Sequence, residues 1–464
     1  MKRFIALFVV LGVALLVAPG VIGFQVEHYY QGLIQQFSRG GAEVVSQEYR
    51  REWFGAESRT GFLLRIPAGA DRSQTETVRF SLVSQIVHGP LTADGLRLAD
   101  IQSDIQVEGE SPLPAEYQAV IRTVIDIDGQ GRTRIDLPAM EISASDQHPA
   151  IRFSGMDGEI RFDGDFEKVE TDFALPTLRL SQGDGQLLEI EGLRFNSRFS
   201  KDSSGLTLGG GRFEIERFGL QESESDTRLE LRQLAIEAES GAQGTVVAAN
   251  VRYRLEALQL DDTVYGPAEV RLGVGNLPPA VLLELQQSIE QINARQLADE
   301  QKGIELLNVL MASAPALLKS DPRVTIDKLS VQTPDGLVEG QLSVQSVGLE
   351  LQEIGNTSAM LNKLVADAAL RMPKRLFMLL LRQKLEADLL RQFEQRRLIN
   401  PASELPDAEQ LNAMVSTLAD RQLELLLGQE LLVEEGDSLA TQAKLSGGLL
   451  SVNGKTIPLP QQSQ

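Results

Sequence analysis

Short segments in which apolar and polar residues alternate follow one another from residue 60 to about residue 274. An alternation with a period of two is typical of β-strands that turn one face to a core and the other to solvent. The predicted strands are 77–87, 96–107, 124–128, 132–137, 186–199, 211–218, 228–239 and 246–260. Glycine, aspartate and serine separate them and supply the tight turns of antiparallel pairs. The sequence therefore predicts long antiparallel meanders.

One predicted strand contains a break in its alternation. The residues alternate from Leu229 to Ile236 but slip by one position around Arg232-Gln233. Such a slip would turn the following side chains to the opposite face of a regular strand. We therefore expect a bulge or a bend at this point. Loosely similar two-apolar phrases recur in the chain, at 188–190, 213–215, 229–231 and 324–326.

The periodicity becomes helical near Asn276. The predicted helices are 279–299, 303–319, 358–397 with an interruption at Pro373, and 407–432. Strands return at 323–331 and 336–351, and Asn453-Gly454 predicts a two-residue hairpin near the end of the chain. The expected fold class is α+β: a large, mostly antiparallel, elongated β-sheet body with helical segments in the C-terminal half, plus one N-terminal transmembrane helix.

The transmembrane prediction concerns the uncharged run 4–24, which follows Met1, Lys2 and Arg3. A helix of about 21 residues matches a hydrocarbon core of about 30 Å. A cleaved signal peptide is the competing interpretation, but its apolar region is usually only about 7–15 residues and precedes an A-x-A-like site. No good site occurs in 17–23, so an uncleaved anchor is favoured.

The positive-inside rule places Lys2 and Arg3 in the cytoplasm and the rest of the chain outside. We therefore expect a single-pass membrane protein whose body lies outside the cytoplasm. The predicted domains are the anchor (1–24), a β-rich periplasmic region (25–275) and a mixed α/β region (276–464).

Composition excludes several classes of function. The chain has 44 Lys plus Arg against 65 Asp plus Glu, a formal net charge of -21. A phosphate backbone would be repelled, so nucleic acid is not an expected partner. There are no cysteines, which excludes disulfides, thiolate metal sites and cysteine nucleophiles.

Few residues suggest chemistry. His28, His88 and His148 stand far apart in unlike settings. The phrase His88-Gly89-Pro90-Leu91 predicts a structural turn with a hydrogen-bonded histidine, and a binding role is the less favoured alternative. The segment 126–129 resembles the start of a calcium loop, but Leu137 stands where the bidentate glutamate belongs. We therefore expect no catalytic residue, metal or cofactor, and a protein that is not an enzyme.

Several phrases in a fixed order carry a family resemblance. They are YRREWFGA at 49–56 with Trp53 and Phe54, VHGPL at 87–91 with His88, Gly89 and Pro90, the strand 266–274, APALLKSDP at 314–322 with Asp321 and Pro322, the strand 323–331, and VNGK at 452–455. Over essentially its whole length the chain resembles the YdgA-like family, bacterial proteins built around a domain of unknown function. The resemblance implies an inner-membrane, largely periplasmic protein, with self-association as an option and no catalytic residues to carry over.

Two hypotheses for the function stay open. The first is a non-enzymatic envelope scaffold or binding module of unknown partner. The alternative is lipid or amphiphile binding or transfer by an apolar groove of the sheet. The two differ in whether helices cover the apolar face of the sheet. Trp53 and Phe54 likewise have two interpretations, as the start of the core or as anchors at the membrane interface.

Overall fold

The computed structural model describes residues 22–35, 38, 42–68, 74–107, 118–144, 150–181, 187–221, 228–295, 299–399 and 407–457. The chain forms two compact units. Unit 1 comprises Met1–Arg228 with Asn293–Gln296, and unit 2 comprises Leu229–Ile292 with Leu297–Gln464. Both are built mostly from antiparallel strands, with helices in addition, so the α+β class is confirmed. The predicted domain boundaries stay a prediction.

The described part of unit 1 contains one helix and a series of strands. The helix is α1 (residues 22–35). The strands are β1 (Ala42–Arg51), β2 (Gly55–Ala68), β3 (Gln74–His88), β4 (Leu91–Thr92), β5 (Gly95–Leu96), β6 (Ala99–Val107), β7 (Val120–Ile125), β8 (Gly131–Leu137), β9 (Met140–Ile142), β10 (Ala150–Phe153), β11 (Met156–Phe162), β12 (Lys168–Ser181), β13 (Leu187–Lys201) and β14 (Thr207–Gln221).

The main sheet of unit 1 follows the order β1-β2-β3-β6-β7-β8-β11-β12-β13-β14, and every pair is antiparallel. β10 shares the edge of β12 with β11 and pairs with β9, whereas β4 and β5 form a separate small hairpin. Because the strands are antiparallel, alternate connections meet at the same end of the sheet. The connections 52–54, 89–98, 126–130 and 163–167 share one end, which we call the hairpin end.

The core of unit 1 lies beneath α1. The helix buries Val26, Tyr29, Tyr30 and Ile34, whose spacing of three and four residues forms one helical face. These side chains join a cluster of buried apolar residues from five strands: Ala56, Phe62, Ile86, Ala99, Ile101, Ile125 and Phe162. The Tyr30 hydroxyl lies 3.0 Å from Ser84 Oγ, which lies 2.7 Å from Ser103 Oγ, so these three hydroxyls satisfy one another.

The predicted anchor lies outside the described residues except for residues 22–24, which belong to α1. Within the described segments, no helix combines the length and the apolar character needed to cross a bilayer. The anchor and its topology therefore stay a prediction. The residues that follow the predicted anchor begin at once to contribute to a folded core.

Unit 2 contains the remaining elements. Its strands are β15 (Arg228–Gln243), β16 (Val246–Leu255), β17 (Ala257–Leu260), β18 (Thr263–Tyr265), β19 (Ala268–Leu277), β20 (Arg323–Thr333), β21 (Gly336–Ser346), β22 (Leu364–Pro373), β23 (Val433–Glu435), β24 (Ser438–Ser446), β25 (Leu449–Val452) and β26 (Lys455–Ile457). Its helices are α2 (Pro279–Ala294), α3 (Asp299–Leu318), α4 (Thr357–Asn362), α5 (Lys374–Ile399) and α6 (Ala408–Gly428), with a short 3-10 turn at Leu351–Glu353.

The sheet of unit 2 follows the order β15-β16-β19-β20-β21-β22-β24-β25-β26, again with antiparallel pairs. β17 pairs with the first part of β15, whose second part pairs with β16, and β18 pairs with β17. Helix α6 buries Leu411, Val415, Ala419 and Leu423, and the Asp407 carboxylate caps its N-terminus by accepting a bond from Gln410 N–H.

One predicted helix is partly wrong. Residues 358–397 were expected to be helical on both sides of Pro373, but only α4 and α5 are, and the segment between them is the strand β22. Its alanines favour a helix in isolation. β22 is hydrogen-bonded to β21 on one edge and to β24 on the other. Pairing on both edges outweighs the weak intrinsic preference.

Three local predictions are confirmed. The helices expected at 279–299, 303–319 and 407–432 correspond to α2, α3 and α6. Asn453 and Gly454 have φ of 48° and 81° and join β25 to β26 as a two-residue turn. Gln233 has φ of 52°, and β15 changes partner there from β17 to β16, so the expected irregularity is present.

Candidate functional site

Seven residues were named above in the phrases that carry the family resemblance, and we call them the landmark residues. Five of them come together at the hairpin end of unit 1. Trp53 and Phe54 form the turn between β1 and β2, closed by a bond of 2.8 Å from Glu52 N–H to the Gly55 carbonyl. His88 ends β3, and its N–H donates to the Phe54 carbonyl at 2.9 Å. Trp53 and Phe54 are exposed. The interpretation of these two aromatics as the start of the core is therefore wrong.

His88 is buried, with only 2% of its surface exposed. A Cβ on Gly23 of α1 would lie 2.7 Å from the His88 Cε1 atom, so the ring fills the space that this glycine leaves. Neither ring nitrogen has a hydrogen-bond partner among the described residues. The predicted structural turn is present, but the hydrogen bond expected for the histidine ring is not, because the ring packs under α1.

Burial lowers the pKa of His88, and the nearby positive charge of Arg51 adds to this effect, whereas the backbone of Trp53 opposes it. The neutral ring is therefore the form that the folded protein holds. The His88 ring packs against Gly23 and therefore has a structural role in the packing of α1 on the sheet.

The free energy of unfolding of unit 1 is expected to fall as the pH drops below 6.5, the usual pKa of histidine. The unfolded chain accepts a proton there that the buried ring resists, so His88 contributes fully above pH 6.5 and its contribution is lost on acidification. The measurement compares unfolding curves of the wild type and His88→Gln between pH 5 and 8. His28→Gln, at an exposed position of α1, is the matched control for the substitution.

Gly89 and Pro90 turn the chain away from the sheet. Their peptide bond is cis, and Gly89 N–H donates to the Leu98 carbonyl at 2.7 Å. A Cβ on Gly89 would lie 1.8 Å from the Arg97 carbonyl oxygen, so this position requires glycine. The turn leads into the β4–β5 hairpin, in which Leu91 and Leu96 are paired directly.

Arg51 connects the start of α1 to this corner. Its guanidinium lies 3.5 Å from the centre of the Phe24 ring, and its Nη1 lies 3.2 Å from Glu27 Oε2. Both partners belong to the first turns of α1. A cation–π contact and an ion pair therefore hold the entry of the helix against the end of β1.

The other two landmarks, Asp321 and Pro322, belong to unit 2 and have a structural role. Asp321 follows α3 with φ of 52°. Its carboxylate accepts a bond of 2.6 Å from Gly348 N–H, and its carbonyl accepts one of 3.0 Å from the Asn276 side chain. The Pro322 carbonyl accepts from Ser346 N–H at 3.2 Å. Together they fix the end of α3 to the neighbouring strands.

Asp321→Ala is expected to destabilise unit 2 by about 2 kcal/mol, because alanine loses the bond to Gly348 N–H and tolerates a positive φ poorly. Asp321→Asn keeps an acceptor and tolerates this conformation, so it should stay within about 0.5 kcal/mol of the wild type. Amide exchange in β20 and β21 measures the difference. Equal protection in both variants would contradict the assigned role.

A second surface of unit 1 was not predicted as a site. Strands β12, β13 and β14 carry apolar residues in register across all three strands. The rows are Phe173–Phe195–Phe213, Leu178–Ile190–Phe218 and Leu180–Leu188–Leu220. None of the described side chains of these strands is buried, and those of the three rows are all partly accessible. We call these rows the apolar rows.

The apolar rows change phase along each strand. Phe173 and Leu178, or Phe195 and Ile190, are an odd number of residues apart and would lie on opposite faces of a regular strand. The backbone is irregular between them, because Gly192 has φ of 63° and forms no ladder pair with Pro176. The register is the same on both sides, with Leu175 opposite Leu193 and Thr177 opposite Glu191, so the phenylalanine row and the other two rows occupy opposite faces of the sheet. The recurring two-apolar phrases were the sequence signal for these rows.

The alternate positions of these strands carry ion pairs. Arg179 Nε and Nη2 bind Glu189 and Glu191 at 2.5 and 2.8 Å, and Arg198 Nε binds Glu170 at 2.7 Å. Because side chains alternate, the charged residues beside each row lie on the face opposite to that row. The charged positions form a solvated ladder, as the sequence indicated.

A similar group of ion pairs lies in unit 2 around Glu269. Its carboxylate accepts bonds from Lys328 at 2.5 Å, from Arg271 at 2.7 Å and from Arg252 at 2.8 Å. The bond from Lys328 contributes most to lowering its pKa, to about 2. This carboxylate is therefore held ionised by cations of its own strand and of the two neighbouring strands, which suits a structural role and not proton transfer. Among the described residues, no group of three or more His, Asp and Glu side chains could hold a metal ion.

The fold and these surfaces define an antiparallel β-sheet protein with attached helices. The chain belongs to the DUF945 family, bacterial proteins of unknown function, whose profile matches residues 1–460. No curated protein and no solved structure matches the chain significantly.

Proposed function

We propose that this chain is a YdgA-like member of its family, anchored in the inner membrane by residues 4–24, and that it binds an amphiphile in the periplasm through the apolar rows of unit 1. The observation that carries the proposal is the accessibility of those rows. Three neighbouring strands present in-register Phe, Leu and Ile side chains, and none of them is buried. A partly accessible apolar surface that crosses three strands favours a binding role.

An acyl chain suits each of the apolar rows. Each row runs across three neighbouring strands without an interposed charge, because the charged residues beside it take the opposite face. The phenylalanine row lies on one face of the sheet and the other two rows on the opposite face, so each face offers its own apolar strip. A ligand without hydrogen-bonding groups requires an apolar surface of this kind.

A protein scaffold is the competing function. It would cover the same rows with a partner or with a second copy of the chain. The two functions therefore predict different occupants at the same side chains, and chemical capture in the living cell distinguishes them.

The photoreactive residue p-benzoylphenylalanine placed at Phe195 is expected to form lipid adducts in bacteria when the full-length chain is irradiated. Phe195 belongs to the apolar rows and is partly accessible. We therefore expect the fold to tolerate another aromatic residue at this position. The matched control is the neighbouring Asn196, which lies on the charged face in register with Asp172 and Arg212. Mass spectrometry of the purified chain identifies the adducts.

The outcome is decided by the mass added at each position. Lipid adducts at 195 and not at 196 support amphiphile binding. A protein adduct at 195 would establish the scaffold function instead. Equal lipid labelling at both positions would mean that the apolar rows confer no selectivity, and the proposal would be wrong.

A further inference from the structure

Six large apolar side chains are exposed at the hairpin end of unit 1, each between 55% and 66% accessible: Phe24, Trp53, Phe54, Leu91, Leu96 and Ile127. They come from the start of α1 and from three separate connections. Turns usually carry polar residues, because their backbone and side chains contact water. Apolar residues at the tips of several adjacent turns therefore require a partner that removes them from water.

Contacts between the connections place these residues near one another. The bond from His88 N–H to the Phe54 carbonyl joins turn 52–54 to the end of β3, from which the Leu91–Leu96 hairpin projects. Arg97 forms an ion pair with Asp126, which precedes Ile127. Arg51, at the end of β1, lies over the Phe24 ring. The six residues thus form one surface, which we call the apolar tips.

We propose that the apolar tips insert into the interfacial layer of the membrane that residues 4–24 are predicted to span. The position of α1 carries the argument. The predicted anchor ends at Phe24, and Gly23 packs on His88 at the same corner as Trp53 and Phe54. The hairpin end is therefore the part of unit 1 that lies nearest to the membrane in which the predicted anchor would stand. Trp and Phe at such a position favour the headgroup layer.

The charges at the hairpin end are compensated within the protein. Arg50 Nη2 lies 2.5 Å from Glu57 Oε2, Arg51 binds Glu27, and Arg122 Nη2 lies 2.5 Å from Asp94 Oδ2. Little net positive charge is left to attract anionic lipid. The insertion should therefore depend on apolar contact, and it should require neither anionic lipid nor low salt.

The proposal depends on the predicted anchor and is independent of amphiphile binding by the apolar rows. Its test uses Trp53, the single tryptophan of the chain. The full-length chain is reconstituted in phosphatidylcholine vesicles whose acyl chains carry bromine at carbons 6 and 7 or at carbons 11 and 12. Trp53 emission should be quenched, and more strongly by the shallower bromines. Quenching should persist in about 1 M NaCl, where the Debye length is about 3 Å.

Two variants sharpen the test. In the double variant Trp53→Phe, Phe153→Trp the fluorophore moves to a position paired with Leu178, ten residues along β12 from Lys168 and so about 33 Å further from the hairpin end. Bromolipid should not quench it. The variant Leu91→Ser, Leu96→Ser removes two exposed side chains without touching the core, and it should lower the quenching of Trp53 by about twofold, since interfacial binding scales with buried apolar area.

Three results would overturn the proposal. The first is a Trp53 that acrylamide quenches and bromolipid does not, which would place the tips in water. The second is a Trp53 shielded from both quenchers, which would mean that a protein surface covers it. The third is release of the full-length chain from the vesicles by alkaline carbonate, which would also contradict the prediction of a membrane anchor. None of these results bears on lipid capture at Phe195, so the two proposals fail separately.

Discussion

Phe62→Ala is expected to destabilise unit 1 by about 3–5 kcal/mol, the usual cost of removing a fully buried aromatic ring. Phe62 has no exposed surface and stacks on Phe80 with ring centroids 5.2 Å apart. It belongs to the core that α1 closes. Chemical denaturation followed by the emission of Trp53, which lies in the same unit, measures the loss.

Phe54→Ala is the matched control for this prediction. The residue type is the same, but Phe54 is exposed at the hairpin end, so its loss should change the free energy of unfolding by less than about 0.5 kcal/mol in detergent solution. Equal destabilisation by the two variants would contradict the position of the core beneath α1.

Gly89→Ala is expected to have the second large effect, a loss of more than about 3 kcal/mol or a failure to accumulate folded protein. The added Cβ would lie 1.8 Å from the Arg97 carbonyl oxygen and 3.0 Å from that of Leu98. The backbone cannot easily withdraw, because Gly89 N–H is bonded to the Leu98 carbonyl at 2.7 Å. Thermal unfolding and the yield of folded chain measure the effect.

Gly219→Ala is the control for the substitution at Gly89. Gly219 lies in β14, where the nearest atom to an added Cβ would be Glu189 Cβ at 3.8 Å, an ordinary contact. The variant should therefore stay within about 0.5 kcal/mol of the wild type. A tolerated Gly89→Ala would show that the turn after β3 has room to move.

The sequence predicted the elements whose signal is local. Period-two segments became strands, and Asn453-Gly454 became a turn, because both depend on neighbouring residues. β22 was missed because its state depends on pairing with β21 and β24, strands distant in sequence. A helical preference in residues 364–373 carries no information about these partners.

The site was predictable only in part, for the same reason. Trp53, His88 and Gly89 were recognised as landmarks, but their proximity follows from the register of β2 with β3. The burial of His88 depends on α1, which approaches from another part of the chain. Leu91 and Ile127 were not singled out. The available signal was an apolar residue inside a turn segment, beside Gly89-Pro90 in one case and between two aspartates in the other.

The packing of α1 has a mechanical consequence. Val26 and Tyr30 are core residues, and Gly23 already touches His88, so no slack chain separates residue 22 from the folded body. A pull on the N-terminal segment is therefore transmitted directly to the sheet of unit 1 instead of first extending a spacer. An attachment of this kind fixes the orientation of unit 1 relative to the N-terminal segment. A flexible tether would let the same body rotate freely.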